Sequence, residues 1–373
     1  MPRSLRIQLL LLAIFSTLAV YAEVRAQPSP DVELDPVKCW TYSLGDMVGE
    51  RLSADDTLIY FGTEGGRVDA LTIAGKKVWS SEFGGAVTSN LESTEAELFV
   101  VTSSILSETG QIKDGTLRSV TKPTGLTTWT VPVGDAERYF LRSYKGSVIV
   151  VTSNGVIYSV DAKTGSMRWR REISKGFAAA PYFSGTAVFI AGLERQVFKI
   201  KMETGEIEAM TRTAYGVTAL GETWLGGQIT GDERGNLTSI DRDSGKANWR
   251  FKTGGAIAGI STRGSNLLVI SNDNFVYLIE SRNGEVIWKK RFSGRVAYSV
   301  GLQKSYVATH SIDQNVVLLT ETAKGRGAGQ IRLPWDEKLT DHPIYSGDSL
   351  LMITDKALYA YSTNGCSRAR QAV

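Results

Sequence analysis

Eight glycines recur at nearly even spacing, at Gly75, Gly125, Gly165, Gly205, Gly245, Gly284, Gly325 and Gly365, with steps of 50, 40, 40, 40, 39, 41 and 40 residues. Five of them are followed four positions later by tryptophan: Trp79, Trp129, Trp169, Trp249 and Trp288. A period near 40 residues means one supersecondary unit copied many times, each copy burying its faces against its neighbours. Function must then lie in what departs from the repeat.

The unit is clearest in the middle of the chain. Ser147 to Thr152 is an apolar, β-branched run, Asn154-Gly155 is a hairpin turn signal, and Val156 to Val160 is a second strand. Thr164-Gly165 makes another turn, and Met167-Arg-Trp169 begins the next strand. Small residues open the units, as in Gly85 to Thr88, Gly176 to Ala180 and Gly254 to Ala258. That gives four short strands per repeat and no helical period. A sandwich, a barrel or a propeller satisfies such a pattern. The period matches one four-stranded blade, and small residues suit the crowded axis of a ring. Eight such units fill Asp46 to Gly365. We therefore expect an all-β, eight-bladed propeller of antiparallel blades, with each repeat Trp packed between neighbouring blades.

A ring must join its ends. The last unit, Ala357 to Tyr361 with the turn at Gly365, has no Trp on a fourth strand, whereas Lys38-Cys-Trp-Thr-Tyr42 supplies a Trp at the other terminus. The N-terminal strand is expected to complete the last blade, putting Trp40 in the repeat position. Only two cysteines exist, and they flank that seam: Cys39 beside Trp40, and Cys366 after Gly365. In an exported chain this placement predicts a disulfide.

The ends and the charge bound the setting. Arg3 and Arg6 precede a mostly apolar stretch from Leu9 to Ala22, too short to span a bilayer, and small-residue cleavage patterns end at Ala22 and Ala26. The reading is a signal peptide over 1–26, a linker over 27–37 and a propeller over 38–373. No cysteine near the cleavage site invites lipidation, so the expected location is periplasmic or secreted. Loss of Arg3, Arg6, Arg25 and Glu23 removes a net charge of +2 from the formal +3 and leaves +1. That balance argues against a nucleic-acid binder. No mature segment is apolar enough to cross a membrane, and the chain reads as a monomer.

The turn segments Ser159 to Trp169, Ser239 to Trp249 and Leu278 to Trp288 resemble the repeat of quinoprotein-type (PQQ-like) β-propellers, roughly Ala-Leu-Asp-x-x-Thr-Gly-x-x-x-Trp. The copies at Gly205 and Gly325 are weaker, with Ala209 and Gly329 in place of Trp. The resemblance covers about residues 38–366 and is specific for the fold. It implies either a quinone-dependent dehydrogenase or a small exported propeller without cofactor, such as those that assist outer-membrane β-barrel assembly. The dehydrogenase branch is longer and carries adjacent cysteines and a calcium-ligand set, which this chain lacks. We expect no cofactor, no metal and no catalysis; the alternative is a PQQ-dependent dehydrogenase-like protein or a subunit of an exported quinoprotein complex.

Other chemistry is sparse. His310 and His342 are the only histidines, too few for a His-rich zinc site. Asp341 adjoins His342, but neighbours on a strand would point apart. Gly325-Arg-Gly-Ala-Gly329 lacks the strand-to-helix setting of a phosphate loop. Asn236-Leu-Thr238 is a glycosylation sequon on an expected strand. Acidic residues recur at the turn between second and third strands, at Glu64, Glu194, Glu233, Asp273, Asp313 and Asp355, with Asn154 in the same role. Asp and Asn favour such turns for backbone reasons, which outweighs a carboxylate ring built to hold a cation.

Two breaks in the repeat fall on the face shared by these turns and the links between blades. One is the insertion Ser104 to Asp114; the other is the long link Leu333 to Pro343, carrying Trp335 outside the repeat position. Loops on a rigid scaffold are where binding usually resides. Trp335, Asp336 and Glu337 are the candidate contacts to a protein partner, in a scaffold role connected with the cell envelope. Carbohydrate binding through exposed aromatics is a third reading.

Overall fold

The computed structural model describes residues 34–366 apart from 46–47, 107, 224, 242–243, 303–304 and 313–314. The signal peptide, most of the linker, Trp224 and Asp313 lie outside the described residues. Within them there is no α-helix, and eight antiparallel sheets follow one another around a propeller.

Blade 1 is the pattern: Val48–Ala54, Leu58–Thr63, Arg67–Thr72 and Lys77–Glu82 pair in sequence order. The second and third strands are apolar on both faces because each blade is covered by two neighbours. Ile59, Tyr60, Phe61, Val68, Ala70 and Leu71 are all fully buried. The fourth strand is the outer edge and is mostly exposed, as in Met167–Glu172, where only Trp169 is half-buried. The same arrangement repeats to the last blade, so the core is a ring of inter-blade layers. One such layer packs Tyr60, Val68 and Trp79 of blade 1 against Val87, Leu98, Val100 and Val120 of blade 2.

Two first strands depart from the regular pattern. In blade 2 the first strand is broken into Ala86–Val87 and Glu92–Ser93, which both pair with Glu97–Ile105. In blade 4 the small-residue stretch 176–180 lies ahead of the first strand, which is only Tyr182–Phe183. It is tied to the second strand by an isolated bridge, Phe177 to Gly192, and by a hydrogen bond from the Ala178 N–H to the Ala191 carbonyl.

Blade 8 is built from both ends of the chain. Ile344–Ser346, Ser349–Ile353 and Ala357–Ser362 come from the C-terminal side, and Val37–Ser43 pairs antiparallel with the third of these, Trp40 opposite Ala360. Cys39 occupies the bulge just before Trp40, and its sulfur is bonded to that of Cys366, 327 residues away. The segment read as linker ends against the ring. Leu34 packs with Leu333, Leu350 and Met352 between blades 7 and 8.

Candidate binding face and blade seams

The repeat Gly and the repeat Trp meet between blades, not within one. Trp40, Trp79, Trp129, Trp169, Trp249 and Trp288 lay their rings over Gly75, Gly125, Gly165, Gly205, Gly284 and Gly325 of the next blade. A Cβ on any of these glycines would stand 2.6 to 2.8 Å from the indole. The glycines also hold φ between 69° and 79°, a region that side chains avoid. Each indole N–H then donates to a carbonyl of the same turn: Ile73, Lys122, Ala162, Glu203, Ser281 and Thr322 respectively, at 2.6 to 3.1 Å. The indole thus buries apolar area and satisfies its one donor in the neighbouring blade. A bulge one residue before the Trp recurs in every copy and fixes its register, for example Trp79 opposite Ala70 and Lys77 opposite Leu71.

Two seams lack this contact. Ala209 in blade 4 and Gly329 in blade 7 hold the tryptophan register, opposite Lys199 and Leu319. The glycines they would have covered, Gly245 and Gly365, are exposed, and a Cβ on either would meet nothing within 4 Å. Blade 7 is covered another way. The Leu34 N–H bonds the Ala328 carbonyl at 2.5 Å, and the Leu34 carbonyl lies 2.5 Å from where a Gly329 Cβ would be. The backbone at Leu34 therefore lies on the outer edge of blade 7. Nothing among the described residues covers the seam between blades 4 and 5 in either way.

On the face shared by the second-to-third-strand turns and the inter-blade links, four of the recurring polar turn residues reach across to the link, whereas Glu194 accepts from the Gln196 amide of its own turn. Asp273 accepts from the Gly254 N–H at 2.8 Å, Asp355 from the Lys338 N–H at 2.9 Å, and Glu233 from the Gly216 N–H at 3.3 Å. Asn154 donates instead, to the Asp135 carbonyl at 2.6 Å. Burial alone would raise the Asp273 pKa, but hydrogen bonds from Tyr277, Gly254 and Phe275 outweigh it and hold the carboxyl below its usual range. These four side chains clamp their links to the blade that follows. Sequence position identified the residues; the partner seventeen to nineteen residues upstream could not be read from it.

The long link 333–343 is fastened by the same device. Asn315 donates to the carbonyls of Pro334 and Glu337, at 2.6 and 2.8 Å. The Glu337 carboxylate accepts from Thr354 at 2.6 Å and from the Tyr359 hydroxyl at 2.8 and 2.9 Å. Burial first, and then this carboxylate, push the Tyr359 hydroxyl above its ordinary pKa. Asp336 pairs with Lys356 at 2.5 Å on the surface. Of the three candidate contacts, Glu337 therefore binds the link to blade 8, Asp336 sits in a surface ion pair, and Trp335 is 93% exposed.

Asp341 and His342 lie in this link and not on a strand, so their side chains do meet, His342 Nδ1 standing 3.3 Å from Asp341 Oδ1. The expectation that they point apart fails because a link imposes no alternation. Asp341 is buried and also accepts from the Leu52 N–H at 2.7 Å, which ties blade 8 to blade 1. His310 is buried on the second strand of blade 7, and burial pushes its pKa down to about 4.

Exposed apolar side chains gather on the same face by topology. Ile105, Leu106, Leu193 and Ile312 border second-to-third-strand turns, while Tyr215 and Trp335 belong to links. The other large exposed apolar residues sit mostly on outer strands, such as Val78, Met167 and Ile287.

Comparison with known proteins agrees with this architecture. The chain is 24% identical over 296 residues to the outer membrane protein assembly factor BamB of Yersinia pestis, spanning 72% of this chain and 74% of that one. The crystal structure of BamB from Moraxella catarrhalis superposes with a TM-score of 0.69 at 15% identity, covering 88% of this chain and all of that one. The computationally designed Ika8 protein superposes with a TM-score of 0.74 at 13% identity, over 87% of this chain and 99% of its own. Similarity at that level reports the shared fold alone. A family model described as outer membrane protein assembly factor BamB matches residues 34–218 and 233–360. The chain belongs to that family of propellers.

Proposed function

We propose that this protein is an exported, non-catalytic scaffold that holds a protein partner against its turn-and-link face during assembly of outer-membrane proteins. The process is taken from the family; the face is argued from this chain. The observation that carries it is Trp335, 93% exposed on a link that Asn315 and Glu337 fasten to the ring. A large indole left in water on a rigid support loses little conformational freedom on binding and offers much apolar area, the profile of an interface anchor. A non-catalytic role is supported by the cysteines, which are joined to each other and so cannot form an adjacent pair over a quinone.

Capture from an envelope extract tests the reading. Trp335→Ala should keep the native melting temperature and lose at least tenfold in recovered partner. Complementing a deletion strain with the same variant should restore outer-membrane β-barrel proteins less fully than the native chain does. Undiminished capture and full complementation would remove Trp335 from the interface. Mass spectrometry of the exported protein should find a mature N-terminus at Gln27.

A further inference from the structure

The open seam between blades 4 and 5 is a second place where this chain departs from its own rule. A groove of about 310 Å³ runs there, between the outer strand Ile207–Arg212 of blade 4 and the flank of blade 5, bordered by Thr211, Arg212, Thr238, Ile240, Gly245 and Arg250. It lies where the other blades insert an indole. Its glycine keeps the left-handed turn of its covered counterparts, φ 67°, yet no described residue lies within 4 Å of a Cβ placed there.

We propose that this groove receives an extended peptide segment of a protein partner, which pairs with the outer edge of blade 4 and seats one aromatic side chain over Gly245. Three observations select that occupant. First, six other seams place an indole on the equivalent glycine, so the turn is already shaped for an aromatic ring. Second, the one other seam without a Trp has backbone laid on the outer edge of its blade, where the Leu34 N–H bonds the Ala328 carbonyl. The ring itself thus lays backbone against an outer edge where the indole is missing. Third, the outer strand of blade 4 has a free edge that carries exposed apolar side chains, Ile207 at 47% and Met210 at 51%. A bare edge of that kind is a template for strand addition.

Charge narrows the sequence of the segment. Arg212 and Arg250 border the groove and have no ion-pair partner among the described residues. Asp232, the acid at the groove, is occupied by the backbone N–H groups of Arg234 and Asn236 and by the Asn236 amide. The groove therefore favours a segment carrying acidic residues beside its aromatic one. The site does not depend on Trp335 or on the outer-membrane reading.

The probe is a fluorescein-labelled octapeptide of alternating Thr and Val with one central Trp and one flanking Asp, titrated by fluorescence anisotropy with the full mature protein. Saturable binding is expected, weakened at least tenfold when the peptide Trp is replaced by Ala. Ala209→Trp supplies the ring's own indole and should weaken binding at least tenfold while leaving the melting temperature equal or higher. Should that variant fail to fold, Arg212→Glu with Arg250→Glu should weaken binding by a similar factor and flatten its salt dependence. Trp335→Ala should bind the peptide as the native protein does, which separates this site from the link face. No saturable binding at millimolar peptide, equal binding of the Ala peptide, or native affinity in the folded groove variants would each overturn the proposal.

Discussion

The seams between blades 1 and 2 and between blades 4 and 5 are made from the same turn and the same bulged outer strand, yet one is locked and the other open. In the first, Trp79 covers Gly125 and bonds the Lys122 carbonyl, and the Lys122 ammonium lies 2.8 Å from Asp55. In the second, Ala209 stops short and Gly245 faces water. The repeat turn therefore forms without its tryptophan: the backbone geometry is local, and the indole is an added inter-blade contact. Cohesion of the ring is accordingly uneven, and the weak seams are set by single residues.

The largest expected effect comes from opening the seam that joins the ends. Cys39→Ser with Cys366→Ser should destabilise the oxidised protein by up to on the order of 5 kcal/mol in urea unfolding, with no difference in reductant. An equal loss in both conditions would show that the strand pairing of blade 8, not the cross-link, carries the closure. Next, Trp79→Ala should cost about 4 kcal/mol, since a nearly buried ring and its hydrogen bond are both lost. Trimming at the open seam, Met210→Ala, should cost well under 1 kcal/mol, its side chain being half exposed. Comparable costs would erase the contrast between the two seams.

A finer comparison uses the turns themselves. Gly125→Ala and Gly245→Ala each place a side chain at positive φ, but only the first also collides with an indole, 2.6 Å away. Differential scanning calorimetry should give about 1 kcal/mol for Gly245→Ala and about 2 to 3 kcal/mol for Gly125→Ala. The smallest effect is acidic. Burial alone would raise the Asp55 pKa, but Lys122, Ser93 and Thr57 outweigh it and hold the carboxyl well below its usual range. A depressed folded pKa contributes stability that is complete above the unfolded value near ~4 and is lost as pH falls below it. The native protein should lose stability from about pH 4 downward, and Asp55→Asn should show a shallower loss there.

Much of the ring was legible because its grammar is local and repeated. The Gly to Trp interval fixed the blade, the two weak copies at Ala209 and Gly329 marked the seams that lack an indole, and Cys39, Trp40 and Cys366 marked the closure. What was not legible is contact between segments with no shared pattern. Nothing in the sequence around Leu34 says that it lies over Gly329, some three hundred positions away. Nor does the turn preference of Asp273 or Asp355 reveal that each clamps an upstream link. Glu337 read as a contact for a partner, and Asp341 as a residue pointing apart from His342, yet both are drawn inward, by Tyr359 and by the Leu52 N–H. Trp335 was visible as an exception to the period, and its exposure follows from having no repeat turn to cover.

The closing of blade 8 by the first strand has a consequence for biosynthesis. Residues 37–43 are made some three hundred residues before their pairing partner at 357–362. Until then the opening strand has no sheet to join, and the terminal sheet keeps a raw flank. Such distant pairing slows productive folding and lengthens the time in which adhesive strands are bare. The ring therefore closes only once its eighth blade has been made, and shielding of the opening strand during that wait should govern how much of the protein reaches the finished state.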